Sequence, residues 1–389
     1  MTTLWDTTGT DVVKALAAER RSAGALAFGL ALTLVVVVDE KHVSVAESAA
    51  TTAAAAHPCR LLIIVRRQLD ASNSRLDAEV SIGGRLGPGE AVVMRMYGRL
   101  GLHAESVVLP LLAPDAPVVT WWDGEPPDRI AYDPLGVFAD RRVSDVAADP
   151  DPVAALRRRA VDFAPGDTDL AWTRLTGWRT LIAAAFDSIT EQPRSVTIAG
   201  SPTDPSVCLL SGWLADRLHV PVTVSEAVSQ GGPTGIRVDF DHDGELTLTR
   251  QDTHTALLRR PGRPDRALPL PERGLGDLLA EELRRLDNDA PYADALSTWS
   301  GIAGLASRPA VREHVWRDPV APKNTVATAA PDAAGATDNS GGGANGADGN
   351  GAAGSAGGAE ATATAGPADP AVTTTPGTNP AGNGARASG

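Results

Sequence analysis

The sequence predicts an α/β protein: a mixed, largely parallel sheet flanked by helices, followed by a small α+β region with an antiparallel meander and closing helices, then a disordered tail. Three observations carry this reading. Apolar runs alternate with helical patterns through the first half, short alternating segments separated by Gly and Pro take over from Ile236, and large apolar side chains nearly vanish beyond Asp318. The 389 residues divide accordingly into an N-terminal α/β domain (1–150), a C-terminal α/β domain with the meander and closing helices (151–318), and an Ala, Gly, Thr and Pro-rich tail (319–389).

A helical pattern over residues 10–22 leads through a Gly-containing turn into the apolar run 30–38, which reads as a strand buried on both faces. Arg20-Arg21 before that run imitates a signal peptide. However, Asp6, Asp11 and Glu19 precede it, Asp39-Glu40-Lys41 follows without a small-residue cleavage site, and the run is shorter than the ~20 residues of a membrane span. Ser44 and Glu47 form a capping box for an Ala-rich helix that Pro58 stops, and 61–65 is the next buried strand. A strand, helix, strand unit of this kind makes its two strands parallel.

Residues 76–82 and 91–97 alternate apolar and polar side chains on either side of a Gly-rich loop at 83–89. A helix is expected over 103–112, a strand over 118–122, a short helix opened by Asp133-Pro134, and another over 153–161. Segments 196–199, 207–218 and 222–224 form a second strand, helix, strand unit that continues the sheet. Strands at 236–240, 246–249, 255–259 and 267–270 make the meander, and helices over 275–286 and 292–302 close the fold. The tail has too little apolar surface to offset about 1–2 kcal/mol of backbone entropy per residue.

Composition excludes several functions. A formal charge of −13, with lysine nearly absent and arginines spread among acids, argues against nucleic acid. Two cysteines, Cys59 and Cys208, make no disulfide framework and read as buried free thiols of a reducing cytosol; a thiol switch would need the fold to bring them together. The seven histidines show no metal-ligand spacing, so no metal is expected. The 83–89 loop joins two strands and so lacks the helix N-terminus that holds a pyrophosphate. Asp239-Phe-Asp241-His-Asp243-Gly244 resembles a calcium loop, but Arg250 stands where a bidentate Glu is required, so a hairpin tip is the better reading.

The densest chemistry lies between Phe163 and Arg179. Pro165-Gly166 makes a turn, Asp167 or Thr168 caps a helix running toward Asp187, and Asp169, Thr173 and Thr176 fall on one polar stripe. Arg174 and Trp178 stand four residues apart, within reach of a cation–π contact. Either the tryptophans fill a core and the charges form a rim, or the helix presents Asp169, Trp172, Arg174, Trp178 and Arg179 to a partner or crevice. Trp121-Trp122 ends a strand before Asp123-Gly124, where α/β sheets place ligands; one Trp is expected in the core and one, Trp122, at the crevice. Glu105, Arg141, Arg142 and Asp145 either gather there or form a structural ion-pair network.

The block Pro-Gly-Asp-Thr-Asp-Leu-Ala-Trp-Thr-Arg-Leu-Thr-Gly-Trp-Arg, residues 165–179, resembles the signature of the glucose-6-phosphate dehydrogenase assembly proteins, the OpcA family. Segments 76–80, 103–112, Trp121-Trp122 and 141–145 stand in that family's order, and the likeness runs from Leu4 to Trp316. The resemblance implies a non-catalytic assembly factor or allosteric activator of glucose-6-phosphate dehydrogenase, the first enzyme of the oxidative pentose phosphate pathway and a source of NADPH. The residues themselves predict no cofactor, a cytoplasmic location, and no membrane or nucleic-acid partner. Two other readings stay open: a sugar-phosphate or nucleotide-binding α/β enzyme, and a metabolite-sensing regulatory domain.

Overall fold

A computed structural model describes residues 1–23, 30–83, 89–187, 189–227, 231–242 and 244–311. The tail, the centre of the 83–89 loop and Asp243 at the expected hairpin tip lie outside the described residues.

The uninterrupted apolar run forms β2 (Leu32–Asp39), central in the first sheet. Helix α2 (Val43–Ala56) carries the chain to β3 (Cys59–Arg67), which pairs with β2 in parallel, Val36 opposite Ile63. Then β4 (Arg75–Ile82) and β5 (Glu90–Tyr97) pair antiparallel, with β5 lying parallel to β3 on its far side. On the other flank of β2 come β6 (Val118–Asp123), β7 (Arg141–Ser144) and β8 (Asp167–Asp169), all parallel. A three-residue strand that the sequence reading missed, β1 (Thr2–Leu4), pairs antiparallel with β4 and gives the eight-stranded order β1-β4-β5-β3-β2-β6-β7-β8. Both faces are covered, which is why β2 and β3 lack polar alternation. Val35, Val37, Leu62 and Ile64 face a core shared with α1 (Gly9–Ala23) and α3 (Glu105–Val108). Leu34, Val36, Leu61 and Ile63 face α2 and a helix from far along the chain, α8 (Leu275–Arg284). The α2 and α8 axes approach closely at Gly276, where a Cβ would stand 2.6 Å from the Thr52 side chain.

After α4 (Pro152–Asp162), α5 (Leu170–Thr173) and α6 (Thr176–Phe186), the chain builds a separate sheet. Strands β9 (Pro193–Gly200) and β10 (Val222–Glu226) run parallel across α7 (Pro205–Leu218), as expected. The expected continuation of the first sheet is corrected: β9 pairs antiparallel with β11 (Gly235–Phe240). It thereby joins β12 (Glu245–Arg250), β13 (Thr255–Arg259) and β14 (Arg266–Pro269) in the six-stranded order β10-β9-β11-β12-β13-β14. The meander is present, but as part of this second sheet. One face packs on α6, α7 and α9 (Ala290–Ser300); Thr197, Arg237, Thr247 and Arg259 alternate onto the other face.

Further local expectations change. The 103–112 helix breaks into 3-10 turns around the single turn of α3, because Pro110 removes a backbone donor. Asp133-Pro134 opens no helix; a 3-10 turn, Ile130–Tyr132, precedes it. Helix α2 starts one residue before Ser44, with His42 as a cap that makes no side-chain hydrogen bond, so the capping box does not form.

Candidate functional site

The 163–179 block folds differently from the single helix expected, and the difference explains its composition. Residues Asp167–Asp169 extend to form β8, so the cap shifts to Asp169, whose carboxylate accepts from the Ala171 backbone N–H at 2.9 Å. Helix α5 lasts one turn, and a break at Arg174 and Leu175 precedes α6. Gly166 is required by the turn: its φ is +98°, and a Cβ there would stand 2.7 Å from the Asp140 carbonyl and 2.9 Å from the Arg142 guanidinium.

The block is a seam. Arg142 is buried, donates to the carbonyls of Pro165 and Ala139, and pairs with Asp167, which fixes β7 against β8. From β7, Arg141 reaches the opposite way, with Nε 2.8 Å from Glu282 Oε2 on α8 and Nη1 2.8 Å from the Asp287 carbonyl. Of the expected polar stripe, only the two threonines face α8: Thr173 Oγ1 donates to Glu282 at 2.6 Å and Thr176 Oγ1 to Glu281 at 2.8 Å, while Asp169 ends β8 and bonds elsewhere. Arg273 clamps the same place through Glu281 and the Thr173 carbonyl. Trp172 is buried between the Arg179 guanidinium, 3.7 Å from its ring, and Tyr292 on α9, and its Nε1–H donates to Asp289 at 2.9 Å. The expected Arg174–Trp178 stacking is corrected: Arg174 forms a two-pronged pair with Asp145 at 2.7 and 2.6 Å, and Trp178, buried, receives Arg250 instead.

Asp169 is wholly buried at the centre of this seam, accepting from Ser144 Oγ at 2.6 Å as well as from the Ala171 and Val146 N–H groups. Burial first, then the nearby Asp145 charge, push its carboxyl up to about 7 against those three hydrogen bonds. Arg179 touches no carboxylate among the described residues, and burial pushes its guanidinium down to about 10.

The other candidates are also internal. Trp121 and Trp122 are both buried, on opposite faces of β6: Trp121 under α2 and α8, Trp122 against the α1 side. The expectation of one Trp at the crevice is therefore corrected; the alternation does separate them, but helices cover both faces. Asp123, next in line, is the group that reaches the carboxyl end of the sheet, and burial raises its pKa. Glu105 stays apart, near His103. Arg141, Arg142 and Asp145 neither gather at the crevice nor join one network: each belongs to its own buried or half-buried ion pair, with Glu282, Asp167 and Arg174. Cys59 and Cys208 lie in different core clusters, and burial pushes their thiols up to about 12 and about 11. Among the described residues no group of His, Cys, Asp and Glu is placed to hold a metal ion, and no helix is long and apolar enough to cross a membrane.

The sequence reading missed a cavity of about 440 Å³ at the carboxyl ends of β2, β3 and β5, lined by Asp39, Glu40, Lys41, Arg66, Arg67, Gln68 and Tyr97. The charged run Asp39-Glu40-Lys41 following a buried strand was its signal.

Two family models match, both describing a glucose-6-phosphate dehydrogenase subunit: its N-terminal domain over residues 50–161 and its C-terminal domain over 165–296, together more than half of the chain. A relative described as OxPP cycle protein OpcA, from Synechococcus elongatus, is 28% identical over 222 residues, 53% of this chain and 45% of the relative, so the likeness spans less than half of that protein. Among solved structures, a 3-ketoreductase, KijD10, from Actinomadura kijaniata aligns at 12% identity and TM-score 0.38, over 74% of this chain and all of that one. An oxidoreductase from Sinorhizobium meliloti aligns at 11% and TM-score 0.38, over 70% and 95%. Likenesses that weak carry no argument about fold or chemistry. On the strength of the two domain matches, which meet at the seam, the chain belongs to the OpcA family of glucose-6-phosphate dehydrogenase subunits.

Proposed function

We propose that this chain is a non-catalytic partner of glucose-6-phosphate dehydrogenase, binding it in the cytoplasm and favouring its active oligomer or conformation in the oxidative pentose phosphate pathway, and so the supply of NADPH. The observation that carries this reading is the match of both halves of the chain to the family. The roles of the seam residues support it, since Asp169, Arg141, Arg142, Trp172 and Trp178 are held in internal contacts and serve to fix the frame. Of the eight partner candidates, Arg174, with 35% of its side chain exposed, and Arg179 keep surface that a second protein can reach, so contact at this seam runs through them. An activator acts by binding one state of its partner better than another.

The test combines the purified chain with the dehydrogenase of the same organism and records initial rates across a glucose 6-phosphate series. Alone, the chain reduces no nicotinamide; in the mixture, half-saturation falls or maximal rate rises. Arg174→Ala weakens the effect at least tenfold in apparent affinity. Unchanged rates with both proteins folded would overturn the proposal.

A further inference from the structure

The cavity beside β2, β3 and β5 holds polar groups that the fold leaves unanswered. Arg66, next to last in β3, is half-buried, with its Nε sealed from solvent, and its guanidinium makes no hydrogen bond or ion pair among the described residues. Lys41 and Asp39 are exposed at the rim and equally unpaired among the described residues, although β2 and β3 set Asp39 beside Arg66 in register. Their neighbours differ. Arg67 is held by Glu40 and donates to Tyr97 Oη at 2.6 Å, so this pair forms a neutral wall.

The wall is rigid. Gln68 adopts a left-handed φ of 42°, a strained conformation for a residue with a side chain, and its carbonyl accepts from both Ala71 N–H and Gly98 N–H. Gly98, at φ +59°, brings β5 so close to this turn that a Cβ would stand 2.7 Å from the Ala71 carbonyl. A cavity with charged side chains at its rim, at the carboxyl ends of parallel strands, lies where α/β sheets commonly hold ligands.

The chemistry selects the ligand. A guanidinium fork occupies two oxygens of an anion, which would complete a carboxylate; a phosphoryl group retains a third oxygen for the Lys41 ammonium. Asp39 accepts hydrogen bonds only, and the Gln68 amide both donates and accepts, so together they suit hydroxyl groups. A nucleobase is disfavoured, because the one aromatic ring lining the cavity, Tyr97, already carries Arg67 and Arg75 at 5.6 and 5.5 Å from its centroid. We propose that this cavity binds a small phosphorylated polyol, its phosphoryl group held by Arg66 and Lys41 and its hydroxyls by Asp39 and Gln68.

Calorimetric titration of the full-length chain, without dehydrogenase, tests this with glucose 6-phosphate, glycerol 3-phosphate, inorganic phosphate and glucose. At least one phosphorylated polyol should bind tenfold or more tightly than inorganic phosphate, and glucose should give no heat. Arg66→Gln and Lys41→Gln should each weaken that binding at least tenfold, while Arg237→Gln, on the far sheet, leaves it unchanged. Lys41 is exposed, so its variant keeps the test valid if Arg66→Gln lowers the melting temperature. Equal affinity for inorganic phosphate and both polyols, insensitivity to both variants, or no binding at all would each overturn the proposal. Because the dehydrogenase is absent, the result is independent of the partner function proposed above.

Discussion

Replacing Glu282 by Ala tests whether the seam holds the two halves together. Arg141, its partner, is 2% exposed, and Glu282 accepts from Arg141 Nε and Nη2 through one oxygen and from Thr173 Oγ1 through the other. Truncation removes three charge-assisted hydrogen bonds and leaves a buried guanidinium with only the Asp287 carbonyl as a partner. Breaking one side of such a pair costs about 3–5 kcal/mol. Larger folds lose about 2 °C of melting temperature per kcal/mol, so a drop of about 6–10 °C is expected. Most of that cost is the stranded charge and not the net worth of the bridge. The double variant Arg141→Met with Glu282→Leu should therefore recover most of it, to within about 1–2 kcal/mol of the parent. Urea unfolding of the parent, Glu282→Ala, the singles Arg141→Met and Glu282→Leu, and their double measures this directly. If Glu282→Ala costs under about 1 kcal/mol, or the double is as unstable as the sum of the singles, the pair is not the structural tie described here.

Two other perturbations follow from the same geometry. The Asp169 carboxyl titrates near 7 in the fold against 3.8 in its ordinary state; a raised carboxyl pKa favours the protonated folded form, so stability falls as pH rises from about 4 to about 7 and then levels off. Asp169→Asn should flatten that slope in urea midpoints taken from about pH 5 to 8, and parallel profiles for parent and variant would contradict it. At the contact of α7 with α9, a Cβ on Gly212 would stand 2.1 Å from the Ala295 carbonyl, so Gly212→Ala should cost about 1–3 kcal/mol despite the higher helix propensity of Ala; a gain in melting temperature would show that the two helices can separate freely.

Most of the architecture was legible because periodicity is written along the chain. The all-apolar β2 and β3, the Ala-rich α2, the α7 pattern between β9 and β10, and the meander all follow from local spacing. What local spacing cannot carry is which distant element completes a surface. Helix α8 lies more than 200 residues beyond β2 and still roofs the first sheet, and the switch to a second sheet rests on β9 choosing β11 over β8. The three-residue β1 and β8 are too short to show alternation at all. In the 163–179 block the expected Arg174–Trp178 contact is replaced by others. Spacing on an ideal helix gave Arg174 to Trp178, but the break after Thr173 rotated the following turn and gave Arg174 to Asp145 and Arg179 to Trp172.

The seam also bears on how a partner would be recognised. Aromatic and arginine groups are the usual anchors of interfaces, and this block is dense in them, yet its tryptophans are buried and its carboxylates accept from neighbours inside the fold. The same residue types serve both purposes because each combines large apolar area with a directional polar group. A partner that grips Arg174 therefore acts on Asp145, which caps the turn after β7 and whose charge helps set the Asp169 carboxyl; a partner that grips Arg179 acts on the ring of Trp172 and, through Asp289, on the start of α9. Contact at Arg174, and at the part-exposed residue Arg179, is thus tied, within one further side chain each, to the junction of both sheets. Under the proposed function this is the physical route by which binding at the surface would be felt by the whole frame, and by linkage the frame's stability would rise with partner affinity.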